Sequence, residues 1–285
     1  MFINPKTDFA FKKIFGSQQS TDILISFLNA IVYDGKDTIV HLQILDPYQS
    51  SRLKGMKDSF LDVKATLEDR TTVIVEMQIL NVVGFEKRIL YNAAKFYATQ
   101  LDVGDDYTLL SPVIALTITD FEMFPQSSKV ISSFTLREKE EMTRYCDDFE
   151  LIFIELPKFK KSLEALGSLS DKWIYFLRNA NKLQSVPSLM EQEPAIQHAF
   201  RVAEQSQLTR DELETLEQES RILNDNRNAI VYAEQQAELR GELIGEKKAS
   251  IAIAQQLFDV LDLEMIAQKT GLTLEELRSL KQDKT

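Results

Sequence analysis

The sequence predicts an α/β domain followed by an all-helical extension, and three observations support this expectation. Helix-like and strand-like segments alternate through the first half of the chain. Two apolar runs, PVIALTI (112–118) and LIFIEL (151–156), are typical of strands that are buried on both faces of a sheet. Strand signals stop after about residue 157, and helical patterns follow. We therefore expect an α/β domain over residues 1–195 and a helical region over residues 196–285.

The elements before the first apolar run follow from capping residues and from the spacing of apolar residues. Thr7 or Asp8 can cap the first helix, which places Phe11, Ile14 and Phe15 on one side. Alternating apolar and polar residues predict strands, whereas apolar residues three or four positions apart predict helices. On these grounds we predict helices over residues 7–15, 20–33 and 84–101 and strands over residues 39–45, 59–67 and 72–80.

The helical region carries signals for helix ends but no recognisable chemistry. Thr209-x-x-Glu212 and Thr273-x-x-Glu276 have the pattern of capping boxes. The last segment is expected to divide into three short helices, with a turn at Gly271 before the last one. This arrangement resembles a helix-turn-helix, but DNA binding does not follow from shape, and the acidic composition of the region argues against it.

Composition and charge limit the class of protein. The net charge of −11 argues against a protein that coats nucleic acid through bulk positive charge. An acidic nuclease remains compatible with this charge if its groove is locally basic or if a bound metal inverts the sign. The N-terminal segment lacks the apolar stretch of a signal peptide, and nowhere do about 18 apolar residues run together. We therefore expect a cytoplasmic protein without a membrane span.

Cysteine and histidine chemistry is also disfavoured. Cys146 is the only cysteine, so the chain can form no internal disulfide, which fits a reducing compartment. His41 and His198 are the only histidines, and neither lies near other ligand-type residues in the sequence. Zinc sites and Ser–His or Cys–His mechanisms need such neighbours, so we expect both histidines to be structural or solvent-facing.

The segment LDVKATLEDRTTVIVEMQIL (61–80) predicts a β-hairpin with polar residues in a strand that is otherwise apolar. A three-residue turn at 68–70 places Asp62 directly opposite Glu76. A two-residue turn would instead place Asp62 opposite Met77, on the other face. The hydrophobic pattern alone does not exclude that register. The three-residue turn is a common hairpin connection, however, and it groups the polar residues on one face.

In this register Phe60 lies opposite Gln78, and two carboxylates face each other. Their repulsion amounts to several kcal/mol at an effective dielectric constant near 20, as an order of magnitude. A shared proton, a lysine or a divalent cation must compensate for it. Oxygen ligands without nearby His or Cys favour Mg²⁺ or Mn²⁺. Lys64 on the same face can stabilise a transition state, whereas Gln78 can hold a water or a phosphate but cannot act as a base.

A hairpin with one solvated polar face is the alternative, and periodicity alone favours it. Val-Ile-Val before Glu76 and Ile-Leu after Gln78 argue against this alternative, because they are typical of a strand buried on both faces. Buried carboxylates are seldom left without a partner.

The pattern Asp62…Glu76-x-Gln78 on adjacent strands resembles that of PD-(D/E)XK nucleases. More narrowly, the chain resembles the Rpn-like, transposase-type family of recombination-promoting nucleases. The similar stretches are NPKTDFAFKKIFG, LDVKATLEDRTTVIVEMQ, RILYNAAKFYATQL, GDDYTLLSPVIALTITDF and the C-terminal segment from residue 251 onward. They cover most of the chain. The resemblance implies a mixed sheet flanked by helices and a metal-dependent DNA endonuclease with a role in recombination, mobile elements or defence.

The resemblance also implies roles for individual residues. Asp62 and Glu76 would ligate Mg²⁺ or Mn²⁺, and the backbone carbonyl of Met77 could join them. Gln78 would occupy the position of the superfamily's lysine, which removes a cation from the site. A lysine at position 78 is therefore expected to keep or raise activity. Asp8 corresponds to an acidic helix position near the site.

Further expectations concern the partners of the chain. Arg88 and Tyr91, three residues apart on one helix, could contact a DNA phosphate, with core packing as the alternative for Tyr91. The helical region is expected to supply a homodimer or higher homo-oligomer contact. The alternative to an endonuclease is a catalytically weak DNA- or protein-binding module that keeps the nuclease fold. A structural oligomeric protein is the third possibility.

Overall fold

The computed structural model describes residues 1–46, 48–49 and 59–282, and within them a six-stranded sheet has helices packed on both faces. The helices are α1 (Asp8–Phe15), α2 (Thr21–Val32), α3 (Phe85–Ala98), α4 (Leu169–Asn179), α5 (Ser188–Glu191), α6 (Pro194–Val202), α7 (Arg210–Leu257), α8 (Leu263–Thr270) and α9 (Leu274–Gln282). The strands are β1 (Leu42–Leu45), β2 (Tyr48–Gln49), β3 (Ser59–Phe60), β4 (Val63–Leu67), β5 (Thr72–Gln78), β6 (Val113–Thr119), β7 (Ile131–Thr135) and β8 (Phe149–Glu155).

The large sheet mixes parallel and antiparallel pairs in the order β1-β4-β5-β6-β8-β7. The first three strands pair antiparallel, β5, β6 and β8 pair parallel, and β7 closes the far edge antiparallel. Helix α3 connects the parallel strands β5 and β6, as a crossover between parallel strands requires. The expected mixed sheet flanked by helices is confirmed.

Strand β5 lies at the centre of the fold because both of its faces are covered. Val73 and Val75 belong to the main core, which also contains the buried residues of α1, α2, α4 and α6. Ile74 points to the opposite face, where it packs with Ala93 and Phe96 of α3. The expectation of a strand buried on both faces is therefore confirmed. Glu76 and Gln78 follow on the same face as Ile74.

The strands differ from the predicted ones at two places. The predicted strand 59–67 is interrupted at residues 61–62, and its first part, β3, pairs with β2 instead of continuing along β5. The expectation that Phe60 lies opposite Gln78 is wrong, because the Phe60 backbone pairs with Tyr48. Strand β7 was not anticipated from the sequence. Its serines and half-exposed residues at the sheet edge lack the apolar pattern of a buried strand.

The described residues divide into two compact units, Met1–Arg221 and Ile222–Thr285. The first unit extends past the sequence-based boundary at 195–196, because α6 buries three side chains fully in the main core. These side chains belong to Ile196, Ala199 and Phe200. No helix in the described ranges is long and apolar enough to cross a membrane.

The second unit has a small apolar core of its own, formed by the end of α7 together with α8 and α9. Gly271 ends α8 with a φ of 73°, a left-handed conformation that favours glycine, so the predicted turn is confirmed. The capping box at the start of α9 is also present: the Thr273 and Glu276 side chains accept each other's backbone N–H groups at 3.2 and 2.9 Å.

Candidate active site

The register of the β4–β5 hairpin brings Asp62 opposite Glu76. Val63 pairs with Val75, and the turn contains three residues. Arg70 at the end of the turn has a φ of 68°, as a three-residue hairpin turn requires, and Asp69 Oδ1 accepts the Thr71 N–H at 2.9 Å. The two-residue turn, and with it the placement of Asp62 against Met77 on the other face, is wrong.

The Asp62 carboxylate replaces part of the β4–β5 ladder. Leu67 N–H donates to Thr71 O, so the alternation of an antiparallel ladder would next bring Met77 N–H to residue 61. Met77 N–H instead donates to Asp62 Oδ2 at 2.6 Å. This bond explains why regular β4–β5 pairing ends at Val63 and does not continue to residues 62 and 61. It also fixes a carboxylate against the strand that bears Glu76.

Asp62 is largely buried, with 13% of its side chain exposed. Burial raises its pKa to about 7, and a hydrogen bond with the Asp8 carboxyl group adds to this shift, whereas the Met77 N–H and the charge of Lys12 oppose it. Lys12 Nζ lies 3.8 Å from Asp62 Oδ1 and pairs more closely with Asp8 Oδ1, at 2.7 Å. Negative charge on Asp62 is therefore only partly compensated.

Glu76 meets a different cation. Arg88 Nη2 of α3 lies 2.5 Å from Glu76 Oε1 and 2.8 Å from Gln78 Oε1. Glu76 is 14% exposed, and burial raises its pKa while Arg88 opposes the shift. We expected a proton, a lysine or a divalent cation to compensate for the hairpin carboxylates. An arginine carries out this role for Glu76, and no pattern in the sequence indicates this pairing.

Helix α1 brings Asp8 to the site, as the resemblance implies, and α7 holds that helix in place. Both oxygens of Glu219 accept the Phe9 N–H, at 3.1 and 3.2 Å, at the positive end of α1. Lys13 also forms an ion pair with Glu212, which lies two helical turns before Glu219 on the same face of α7. Sequence reasoning missed Glu219 because the contact joins residues 210 positions apart.

The other candidate residues occupy the same face of the sheet or lie near it. Lys64 Nζ lies 4.8 Å from the centre of the Phe96 ring, so the ammonium group forms a cation–π contact with α3. Tyr91 is 38% exposed, so core packing does not account for it. The histidines are structural or solvent-facing as expected: His41 is exposed, and His198 Nδ1 lies 2.9 Å from Asp22 Oδ2.

The donor set of the hairpin suits a hard divalent cation. Two largely buried carboxylates with raised pKa values lie immediately before β4 and on β5, and a cation would relieve the electrostatic cost of their charge. Met77 N–H points toward the β4 side of β5, and the C=O of a strand residue points to the same side as its N–H, so the Met77 carbonyl lies on the side of β5 where Asp62 lies. Across residues 1–46, 48–49 and 59–282, no three His, Cys, Asp or Glu side chains already gather closely enough to hold a metal.

Comparison with known proteins identifies the family. A family model described as PD-(D/E)XK nuclease family transposase matches residues 5–233. The chain belongs to this family. The match includes α1, the β4–β5 hairpin, α3 and the whole large sheet, and it confirms the resemblance inferred from the sequence. The comparisons find no matching curated protein and no matching solved structure.

Proposed function

We propose that the chain is a divalent-metal-dependent endonuclease that hydrolyses phosphodiester bonds of DNA. The hydrogen bond from Met77 N–H to Asp62 Oδ2 carries this proposal, because it holds a buried carboxylate beside the strand that bears Glu76. In this bond a side-chain carboxylate takes the place of the ladder carbonyl, which brings the carboxylate into the sheet next to β5. Membership of a nuclease-type family supports the same conclusion.

Asp62, Glu76 and the carbonyl of Met77 would hold Mg²⁺ or Mn²⁺. When bound, the cation would supply Lewis-acid stabilisation of negative charge and would acidify water at the site. A carboxylate has two oxygens and about four lone-pair sites, so each side chain can ligate a cation while one oxygen keeps its present hydrogen bond. Asp8 would be the accessory acid, since its carboxyl group contributes to the raised pKa of Asp62 and it pairs with Lys12, whose Nζ also lies 3.8 Å from Asp62 Oδ1.

The reaction is a hydrolysis with a simple balance of atoms. The water oxygen forms a bond to phosphorus and one P–O ester bond breaks. Water loses one proton and the leaving alkoxide gains one. Lys64 and the half-exposed Tyr91 lie on the face of the sheet covered by α3, where they can contact the DNA backbone near the scissile bond.

A DNA- or protein-binding module without appreciable catalysis is the second candidate. The ion pair between Arg88 and Glu76 favours it, because Glu76 already has a cationic partner at 2.5 Å. The two candidates differ in their response to metal. The endonuclease cuts DNA only when Mg²⁺ or Mn²⁺ is present, whereas the binding module leaves the DNA uncut with or without metal.

A homodimer is the assembly that we propose for the full chain. Along α7 between residues 230 and 244, several apolar side chains are 40–65% exposed, and most of the stability of a helix in a protein comes from packing its apolar side chains against a partner surface. These side chains are Ile230, Val231, Tyr232, Leu239, Leu243 and Ile244. Light scattering on the full chain and on a Leu239→Lys/Leu243→Lys variant tests the assembly. An unchanged mass per particle contradicts it.

Cleavage of supercoiled plasmid tests the proposed activity. The wild-type protein with Mg²⁺ or Mn²⁺ is expected to produce nicked or linear DNA, and EDTA is expected to stop the reaction. Glu68→Gln is the matched control for Glu76→Gln, because Glu68 is an exposed carboxylate in the turn of the same hairpin. A wild-type protein that binds DNA but does not cut it with either metal supports the binding module instead.

A further inference from the structure

Arg88 occupies a defined position at the candidate active site. Its Nη2 atom bridges the Oε1 atoms of Glu76 and Gln78, at 2.5 and 2.8 Å. Its Cζ atom lies 5.0 Å from the centre of the Phe85 ring, so the guanidinium also rests on an aromatic face. The side chain is nevertheless 44% exposed. Arg88 is therefore oriented by three neighbours and still open to a ligand.

Gln78 is oriented to receive this arginine. Its Nε2 donates to Leu80 O at 2.8 Å, which turns Oε1, the acceptor, toward Arg88. An arginine has donors only, so an amide oxygen suits it as a neighbour. A lysine at position 78 would bring an ammonium group beside the guanidinium, and like charges at such a distance repel. These contacts lead us to the opposite expectation, that a lysine at position 78 lowers activity.

The other cations near the site are held by other partners. Lys6 Nζ lies 2.7 Å from Asp120 Oδ2, and Lys12 Nζ lies 2.7 Å from Asp8 Oδ1. Lys64 lies over the Phe96 ring. Lys12 Nζ also lies 3.8 Å from Asp62 Oδ1, whereas Arg88 Nη2 makes a closer contact, 2.5 Å, with Glu76 Oε1, the other carboxylate that would hold the metal.

We propose that Arg88 is a catalytic residue that stabilises negative charge on the phosphoryl oxygens, and that Gln78 is the residue that positions it. This proposal rests on the proposed endonuclease function. Hydrolysis increases the charge on the oxygens around phosphorus, and a planar guanidinium can donate two hydrogen bonds to them. Arg88 remains protonated throughout and transfers no proton. It supplies at α3 the positive charge that Gln78 cannot supply from β5.

The assignment makes a prediction that a simple DNA-binding role does not make. A residue that only contacts a backbone phosphate changes the affinity for DNA and leaves the rate at saturating DNA unchanged. A residue that stabilises the transition state changes kcat. Arg88→Ala is expected to lower kcat by about 100-fold or more, with a much smaller change in KM. Lys87→Ala is the matched control, because it removes the same charge from the neighbouring exposed position of α3.

The decisive experiment is a cycle of four proteins: wild type, Arg88→Ala, Gln78→Lys and the double variant. Gln78→Lys alone is expected to lower kcat by about 10-fold or more, because the new ammonium displaces Arg88. In the double variant the lysine no longer meets the guanidinium, and kcat is expected to recover at least tenfold over Arg88→Ala. Melting temperatures give a second measure: Gln78→Lys should lower the melting temperature, and adding Arg88→Ala should restore part of the loss.

The outcomes separate this proposal from the proposed function. If the wild-type protein cleaves DNA and Arg88→Ala cleaves with the same kcat, the catalytic role of Arg88 is overturned while the endonuclease function stands. A Gln78→Lys variant that equals or exceeds the wild type in kcat, with a normal melting temperature, overturns the positioning role of Gln78. A wild-type protein that cleaves no DNA with either metal overturns the endonuclease function itself.

Discussion

The two compact units of the chain differ in whether they bury carboxylate side chains or keep them exposed. The first unit buries Asp62 and Glu76 until only 13% and 14% of their side chains are exposed. The described residues of the second unit form an apolar core, and the side chains of its ion pair Lys247–Glu276 are 61% and 37% exposed. Burying a carboxylate opposes folding unless a partner compensates, whereas an exposed ion pair contributes little. The difference indicates that chemistry is concentrated in the first unit.

Truncation within the first unit, compared with truncation at its end, has the largest expected effect. A chain of residues 1–195 loses three fully buried side chains of the main core, those of Ile196, Ala199 and Phe200. A single large-to-small change of a core phenylalanine costs about 3–5 kcal/mol, a large share of the total stability of a domain. We expect residues 1–195 to be unfolded by circular dichroism and residues 1–221 to fold. Folding of the shorter chain would show that α6 is not part of the first unit's core.

Neutralising the buried carboxylates has the next largest expected effect. Asp62→Asn and Glu76→Gln each remove a proposed metal ligand, and we expect plasmid cleavage to fall by about 1,000-fold or more, as for loss of a central electrostatic group. Glu276→Gln in the second unit removes an equally charged but exposed carboxylate and serves as the control. Equal activity of all three variants would remove the functional distinction between the units.

The pH dependence of stability gives a smaller effect with a defined sign. The folded-state pKa of Asp62 is raised from 3.8 to about 7, so between these values the folded protein binds a proton that the unfolded chain has lost. Asp62 therefore favours folding fully below about pH 4, and this contribution is lost as pH rises toward 7. Since one pKa unit corresponds to about 1.4 kcal/mol, we expect Asp62→Asn to gain a few kcal/mol relative to wild type between pH 4 and 8 without metal.

Urea denaturation of both proteins at several pH values measures this difference. Carboxylates with lowered pKa values, such as Asp171, are present in both proteins and cancel in the comparison. A difference in the free energy of unfolding that stays constant with pH would mean that Asp62 is not protonated in the folded protein.

The contact of α7 with α1 has the smallest expected effect. Glu219→Ala leaves the Phe9 N–H without its acceptor at the start of α1, and loss of such a capping interaction costs about 1 kcal/mol. Glu219→Gln keeps an acceptor and should cost less. Glu217→Ala, at an exposed neighbouring position, is the control in urea denaturation. Equal stability of Glu219→Ala and the control would show that α7 does not secure α1.

Sequence patterns over short stretches predicted the parts of the fold and the site that depend on residues close together in the chain. The hairpin register followed from polar alternation and turn length, so the placement of Asp62 beside Glu76 was predicted. The break before β4 was missed because it depends on one side chain, Asp62, accepting a strand N–H. The pairing of Arg88 with Glu76 and Gln78 was missed because it depends on how α3 packs on the sheet. Periodicity does not contain that information.

Calorimetric titration with Mn²⁺ tests the central claim most directly, because it asks whether the two buried carboxylates form one metal site. We predict that the wild-type protein binds Mn²⁺ and that Asp62→Asn and Glu76→Gln each abolish this binding, whereas Glu68→Gln binds as the wild type does. Binding that is unchanged in both Asp62→Asn and Glu76→Gln, or a wild-type protein that binds no Mn²⁺, would contradict the account.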